Sequence, residues 1–273
     1  MKTRLDIDIA RIAHLNWEQN LENMVRKGEV STELQSHKEC DLGVWLHKTG
    51  IKKYKDNHAV RQLIEVHETF HAVADRLSTD IKMADPLSLK LDLKKIRETS
   101  REIIFLLTAI ELSALEMQQR NQFLANPIQN LLKRLFEGPS YAIAEDNKVL
   151  ELGHARLVHL QWSRNLLEAF HDWGKNSSLE SASRCPLGAW IHSVGLRRYK
   201  SIPEIHELDK MHQAFHSKAE ETIRALRKKE MKKSDKSYER MLNYSSEVIY
   251  LLSVLELRLI DSSDIAPPVN IFG

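Results

Sequence analysis

Apolar side chains recur every three or four residues along most of the chain, which is the spacing of one helix face. The first such stretch places Ile9, Ile12, Ala13, Trp17 and Leu21 on one face. Only nine glycines and seven prolines interrupt the 273 residues, and no useful length of alternating apolar and polar residues indicates a strand. The pattern therefore predicts an all-α fold.

The same order of helical segments is predicted twice. The first half contains segments 5–27, 41–47, 57–78 and 88–120, of which the second is a short turn. The second half contains segments 147–172, 186–192, 203–228 and 233–260. A further short helix is predicted at 128–136, between the halves.

A repeat with a constant offset of 145 residues underlies this doubled order. His14-Leu-Asn-Trp17 corresponds to His159-Leu-Gln-Trp162, and Cys40-Asp-Leu-Gly-Val-Trp-Leu-His47 corresponds to Cys185-Pro-Leu-Gly-Ala-Trp-Ile-His192. The repeat predicts two tandem four-helix bundles. We place the first bundle at 1–120, a connector at 121–146, and the second bundle with a short C-terminal tail at 147–273.

The last helix of each bundle is apolar around most of its circumference, so a bundle standing alone would expose part of it. The apolar residues are Ile103, Ile104, Phe105, Leu106, Leu107 and Ile110 in one copy and Val248, Ile249, Tyr250, Leu251, Leu252 and Leu255 in the other. We therefore predict that the two bundles pair as an internal pseudo-dimer. The chain is then expected to be monomeric or only weakly self-associating.

The composition of the chain excludes several classes of function. Charged residues make up 29% of the chain with a net charge of +2 and no basic block, so we expect no nucleic-acid binding. Neither a secretory signal nor an apolar run near the roughly 20 residues needed to cross a bilayer is evident, so we expect a cytoplasmic protein without membrane contact. The two cysteines lie one in each copy, which favours metal binding over a disulfide.

Three histidines and one cysteine recur in each copy, and together they have the chemistry of zinc ligands. The predicted ligands are His14, Cys40, His67 and His71 in the first copy and His159, Cys185, His212 and His216 in the second. Histidines four residues apart on a helix project from one face and can chelate one ion. A thiolate and a third histidine would close the site without room for water. We therefore predict two zinc ions (Zn2+) per chain, in structural or regulatory sites.

The segment His67-Glu68-Thr69-Phe70-His71 also matches H-E-x-x-H, in which a zinc-bound water is activated by the glutamate. The second copy has Gln213 in place of Glu68, and an amide cannot accept that proton. A cysteine in the fourth position would also displace the water. The sequence therefore disfavours a metalloprotease and predicts no catalytic residue.

Other recurring residues are assigned to the surroundings of the ligands. His47 and His192 are expected behind or beside them rather than on zinc. Gly43 and Gly188 would let the turn approach the neighbouring helices closely. Residues expected to wall the sites are Trp17, Leu42, Trp45, Phe70, Trp162, Leu187, Trp190 and Phe215. Histidines without a counterpart, assigned to surface or loop, are His37, His58, His154, His171 and His206.

The combined motif of a first-helix histidine, Cys-x-Leu-Gly-x-Trp and His-x-x-Phe-His resembles the chemoreceptor zinc-binding (CZB) domain family. The resemblance covers about residues 5–112 and 150–257. It implies bacterial, cytoplasmic, typically homodimeric four-helix domains that hold one zinc through three histidines and one cysteine. Such domains regulate the chemoreceptors or diguanylate cyclases to which they are fused. In this sequence the domain is instead doubled, and we expect the effector to be a separate protein because no cyclase or methyl-accepting segment is evident.

We therefore expect a non-enzymatic zinc sensor or buffer that signals to a separate chemotaxis or cyclic-di-GMP signalling protein. One alternative is a redox sensor in which hypochlorous acid oxidises the zinc-bound thiolate. Another is a structural scaffold from which zinc never leaves.

Overall fold

The computed structural model describes residues 2–30, 34–55, 57–83, 86–125, 148–175 and 179–261. Every regular element in these ranges is helical, which confirms the all-α prediction. The chain divides into two compact units, Met1–Phe136 and Glu137–Gly273, and each is described by itself. The pairing of the two copies stays a prediction.

The first unit is built on three long helices and a short, broken helical segment. Its elements are α1 Lys2–Lys27, α2 Asp41–Trp45, a π-helical turn Leu46–Gly50, α3 Ile51–Lys53, α4 His58–Met83 and α5 Pro86–Ala125. Helix α5 packs against both α4 and α1. Pro86 is tolerated at the start of α5 because the first turn of a helix has no intrahelical partner for that amide.

The second unit repeats this order. Its elements are α6 Lys148–Asn165, α7 Glu168–His171, α8 Pro186–Trp190, a π-helical turn Ile191–Gly195, α9 Leu196–Arg198, α10 Pro203–Arg227 and α11 Met231–Asp261. Here α11 packs against both α10 and α6. The pairs α4–α5 and α10–α11 therefore occupy the same place in their units.

Several predicted boundaries differ from the structure. The helix expected over 57–78 continues to Met83, and the short turn expected over 41–47 continues in helical turns to Lys53. The single helix expected over 147–172 ends at Asn165, and the chain turns at Leu166 and Leu167 before the one-turn helix α7. The Leu167 amide donates to the carbonyl of Arg164, three residues back, instead of continuing the four-residue pattern. Helix α5 reaches Ala125 and so enters the range assigned to the connector, while the predicted helix at 128–136 lies outside the described residues.

Both units have an apolar core drawn from all their long helices. In the first unit it includes Ile7, Leu21, Leu63, Leu77, Ile103 and Leu107, all at most 1% exposed. The second unit buries Leu152, Leu208, Val248 and Leu252 in one cluster, and Phe215, Leu226 and Met241 in another. These cores hold the helices in the register that the metal-ligating side chains require.

A buried ion pair recurs in the two units and was missed by sequence reasoning. Arg11 Nη2 lies 2.7 Å from Glu111 Oε2, and both side chains have no exposed surface. The residues 145 positions later, Arg156 and Glu256, form the same pair. Each unit therefore buries a carboxylate at the same position of the repeat, and its partner is an arginine on the first helix of that unit. Truncating one partner of such a pair leaves an uncompensated buried charge, which costs about 3–5 kcal/mol.

Candidate metal centres

The first unit brings together three predicted ligands. The ligand atoms of Cys40, His67 and His71 all lie within 4.8 Å of one another, and all three residues are buried. Cys40 Sγ lies 3.3 Å from His67 Nε2. This group joins the short helix α2 to the long helix α4.

The second unit assembles the equivalent group. Cys185, His212 and His216 also place their ligand atoms within 4.8 Å of one another and are also buried. Cys185 Sγ lies 3.2 Å from His212 Nε2. The sulfur–nitrogen distances of the two groups therefore agree within 0.1 Å, so the repeat extends from sequence to geometry.

Local structure explains why these side chains converge. The histidine pairs are four residues apart on α4 and α10, so each pair stands on one face, with ring centroids 4.7 Å apart in both units. Each cysteine is the N-cap of a short helix, and its sulfur accepts a backbone N–H bond from the glycine three residues later. The nitrogen–sulfur distances are 3.3 Å for Gly43 and 3.4 Å for Gly188. The cap thus orients the sulfur toward the histidines.

The two positions that donate to the cysteine sulfurs must be glycine because the backbone of the preceding loop comes very close to them. A Cβ on Gly43 would lie 1.9 Å from the carbonyl oxygen of His37, and one on Gly188 would lie 1.6 Å from that of Ala182. The close approach predicted for these glycines is present. It is made mainly to the preceding loop rather than to a helix, although His212 Cε1 also lies 3.1 Å from the Gly188 position.

Gly43→Ala is expected to destabilise the first unit by about 3 kcal/mol or more and to empty its metal site. The new methyl would displace the His37 backbone and the cysteine that the same turn orients. Gly50→Ala is the matched control, since its Cβ would meet side chains rather than backbone, with carbons of Trp45 at 3.2 Å and 3.4 Å and of Leu46 at 3.5 Å. Denaturant unfolding and zinc content are the measurements; equal losses in the two variants would contradict this account.

The third predicted histidine lies at the edge of each group. His14 and His159 are buried, with ring centroids 6.5 Å and 6.2 Å from those of His67 and His212. His14 Nε2 lies 3.0 Å from Ser100 Oγ on α5. The three-residue groups do not include either histidine, so fourth ligation by His14 and His159 stays a prediction.

Aromatic rings wall both groups, as expected. Phe70 and Phe215 are fully buried, with ring centroids 4.7 Å and 4.4 Å from those of His14 and His159. Trp17 and Trp162 stand 4.7 Å and 5.1 Å from the rings of His71 and His216. The walls are apolar, which strengthens electrostatic contacts inside them.

Leu42 and Leu187 are also buried, 1% and 5% exposed. Trp45 and Trp190 pack against Tyr54 and Tyr199, with ring centroids 6.3 Å and 6.4 Å apart. These tryptophans therefore support the turn that carries the cysteine.

The other histidines occupy different surroundings. His47 and His192 are exposed, but they lie close enough to the ligands to help lower the pKa of His67 and of His212, respectively. His192 Nε2 also lies 3.5 Å from Asp209 Oδ1. His37 belongs to a loop, as predicted, but is only half-exposed, and its ring centroid lies 6.4 Å from that of His71. Its Nε2 lies 3.6 Å from Glu68 Oε1.

Three histidines assigned to the surface, His58, His154 and His206, are exposed. The side chain of His171 lies outside the described residues.

Burial keeps His14, His67 and His71 neutral by lowering the pKa of each ring. It lowers the pKa of His14 to about 3, with a further contribution from the nearby His71. Burial and the surrounding histidines lower the pKa of His67 to about 2. The pKa of His71 falls to about 4, although a hydrogen bond to the backbone of Gln35 opposes the effect of burial. Neutral imidazole is the form that binds a metal, so the rings are ready for ligation near pH 7.

The second unit follows the same electrostatics. Burial lowers the pKa of His159 well below its usual value, and lowers that of His212 to about 3. For His216 the direction is also downward, opposed by a hydrogen bond to the backbone of Glu180. Burial raises the pKa of the Cys40 and Cys185 thiols, against the backbone hydrogen bonds that lower it. Metal binding is therefore expected to displace a thiol proton at each site.

These groups suit zinc. A tetrahedral ion with Zn–S near 2.3 Å and Zn–N near 2.0–2.1 Å separates sulfur and nitrogen by about 3.6 Å. The observed separations of 3.3 Å and 3.2 Å are close to that value. Zinc binds thiolate and imidazole ligands well, whereas magnesium and calcium bind oxygen ligands.

The fold and the sites define a helical protein with two Cys-His-His centres that can hold two zinc ions. Residues 14–77 match the family model described as "Chemoreceptor zinc-binding domain". This segment is therefore a domain of the CZB family, which is a zinc-binding family. The match lies in the first unit, and the second is related to it by the repeat and by its own Cys185-His212-His216 group.

Comparison with curated proteins and with solved structures finds no significant match. Within the described residues, no helix is both long enough and apolar enough to cross a membrane.

Proposed function

We propose that the protein is a cytoplasmic, non-enzymatic zinc sensor of bacterial type that holds one ion in each unit and signals to a separate partner. The observation that carries this proposal is the pair of buried Cys-His-His groups, one of them inside a segment of the CZB family. The expected partner is a chemotaxis or cyclic-di-GMP signalling protein, as for other domains of this family.

The position of the ligands suggests how zinc occupancy would be converted into a signal. In each group the cysteine belongs to a short helix that follows a loop, whereas the histidines belong to a long helix of the bundle core. An ion bound by both would tie the loop and short helix to the bundle. Its loss would leave Cys40 or Cys185 attached only by weaker contacts, so the segment around 34–55 and its counterpart are the parts expected to move.

A catalytic role has little support at either site. Glu68, the only candidate base in the H-E-x-x-H segment, is 52% exposed and faces His37. Its counterpart is Gln213, although the second group keeps the same three ligands. Four protein ligands would also leave no open position for water.

Zinc content tests the proposal directly. We expect two zinc ions per purified chain, and we expect Cys40→Ser or Cys185→Ser to remove or weaken the binding of one of them, because each sulfur belongs to a separate group. Glu68→Gln is the matched control and should retain both, since the second unit already carries an amide there. Elemental analysis that finds one shared ion or none would overturn the proposal.

The partner can be sought by affinity capture from bacterial lysate with wild-type protein and with the Cys40→Ser/Cys185→Ser variant. A signalling protein retained by only one of the two forms supports zinc-dependent signalling. The same proteins on both forms, at the same level, would favour the scaffold alternative.

A redox role is the second candidate, and the position of the sulfur favours it. In both groups the cysteine sulfur is the ligand atom that connects the short helix to the histidines, so its oxidation would release that helix. Stoichiometric hypochlorous acid should therefore speed zinc transfer to a competing chelator in the wild type but not in the double cysteine variant. If both proteins lose zinc at the same rate under oxidant, the redox role fails.

A further inference from the structure

One buried interaction of the first metal centre is absent from the second. Most contacts around the ligands recur, including the backbone N–H bonds to the sulfurs and the backbone hydrogen bonds to His71 and His216. An interaction that does not recur lies behind the first-helix histidine. Glu18 in the first unit corresponds to Ser163 in the second, at the same offset of 145 residues.

In the first unit a carboxylate is linked to His14 through a serine. Ser100 Oγ donates to Glu18 Oε2 at 2.5 Å and lies 3.0 Å from His14 Nε2. All three side chains are buried, with exposures of 3% for His14, 3% for Glu18 and 0% for Ser100. The serine joins α5 to two residues that are four apart on α1.

The hydrogen bonds determine the tautomer of this ring. A hydroxyl has one proton. Ser100 donates it to the carboxylate of Glu18, which has no proton of its own to donate when it is ionised. The Ser100 oxygen must then accept from His14, so Nε2 carries the ring proton. The lone pair is left on Nδ1, which becomes the nitrogen available to a metal.

The second unit lacks this relay. Ser163 Oγ donates to the backbone carbonyl of His159 at 3.0 Å and lies 3.0 Å from Ser245 Oγ. Ser245, the counterpart of Ser100, is thus paired with Ser163. His159 Nε2 is buried with no hydrogen-bond partner in the ranges that the structure describes. No acceptor selects its tautomer.

We propose that Glu18, acting through Ser100, positions His14 for zinc and makes the first site the tighter of the two. An acceptor behind a ligating histidine fixes its tautomer and raises its basicity, and loss of such a partner typically costs 10- to 100-fold in metal affinity. As zinc rises, the first site then fills before the second. The protein responds at two zinc concentrations, and the second site is the one that exchanges its ion. This inference rests on the proposed zinc-binding function and on His14 as a ligand.

The test isolates each site in the full-length chain. Cys185→Ser/His212→Ala leaves only the first site, and Cys40→Ser/His67→Ala leaves only the second. Zinc affinity is measured by competition with a chromophoric chelator. We expect the first site to bind zinc about 10- to 100-fold more tightly. Equal affinities, or a tighter second site, would overturn the inference while leaving the zinc-binding function intact; no zinc binding in either protein would overturn both.

Reciprocal substitutions then assign the difference to the relay. Glu18→Ser, which reproduces the second copy, should lower first-site affinity to that of the second site, and Ser163→Glu should raise second-site affinity. The matched control Glu22→Ser removes a half-exposed carboxylate of the same helix that pairs with Arg97, and should change neither affinity. An increase in first-site affinity in Glu18→Ser would mean that the relay competes with zinc for His14, which contradicts the proposal. If Glu18→Ser does not fold, the affinities of the two isolated sites still decide the question.

Discussion

Removal of zinc with a chelator is expected to lower the Tm of the protein by about 10 °C or more. A ligand at about 1,000 times its Kd stabilises the folded state by about 4 kcal/mol, and one kcal/mol corresponds to roughly 2–4 °C for a protein of this size class. The effect is large because each group joins a short helix to a long one. Without the ion, the link between sulfur and histidine is a single weak contact. It is 3.3 Å from Cys40 Sγ to His67 Nε2 and 3.2 Å from Cys185 Sγ to His212 Nε2.

Thermal unfolding by circular dichroism, with and without chelator, measures this effect. The Cys40→Ser/Cys185→Ser variant is the control, and its Tm should change much less because both sites have lost their anionic ligand. Replacing zinc in the chelated wild type should restore the original Tm. Unchanged Tm after elemental analysis has shown zinc loss would mean that the ions contribute little to folding.

The sequence predicted the ligand groups because their chemistry is local and repeated. His67 and His71 are four residues apart on a helix, so their convergence follows from helical geometry alone. The placement of Cys40 beside them required the repeat, in which a cysteine appears at the same offset from the same histidine pair. The structure brings these three residues together in both copies.

The buried polar partners could not be predicted in the same way. Glu18 and Ser100 are 82 residues apart and meet only because α1 and α5 pack together, and a buried glutamate on a helix looks like an exposed one in a single sequence. A signal for Arg11 and Glu111 did exist, since both recur at the offset of 145. It was obscured by the many charged residues that recur nowhere.

Helix boundaries were less accurate than helix existence. The break after Asn165 leaves the apolar pattern intact, because Leu166 in the turn and Ala169 after it remain buried. Hydrophobic periodicity indicates which residues are buried. It therefore cannot reveal a turn that leaves the same residues buried. The end of the segment is marked instead by Gly174, whose φ of +71° is in the left-handed region.

The metal-free protein is expected to lose stability as the pH falls from 6.5 to 5. Burial lowers the pKa of His14 and His212 to about 3, that of His67 to about 2 and that of His71 to about 4, from an ordinary value of 6.5. In this interval the unfolded chain binds protons at these histidines and the folded chain does not. Stability therefore rises with pH below 6.5 and is independent of these groups above it.

The magnitude follows from the width of the interval. One pH unit below the unfolded pKa costs about 1.4 kcal/mol per histidine, so each of these four contributes up to about 2 kcal/mol at pH 5. Together they amount to a large part of the stability of a typical domain. Carboxylates with ordinary pKa values near 4 remain ionised over most of this interval, which makes the histidines the main source of the slope.

Denaturant unfolding in the presence of chelator, at several pH values between 7.5 and 5, measures the slope. His67→Gln should reduce it, because the substituted residue takes up no proton in the unfolded chain. His58→Gln, which replaces an exposed histidine at the start of the same helix, should leave it unchanged. Zinc binding opposes the same protonation, so the zinc-loaded protein should keep its stability to lower pH than the metal-free protein. A flat profile in the metal-free protein would show that these rings are hydrated and protonate freely in the fold, contrary to their burial in both units.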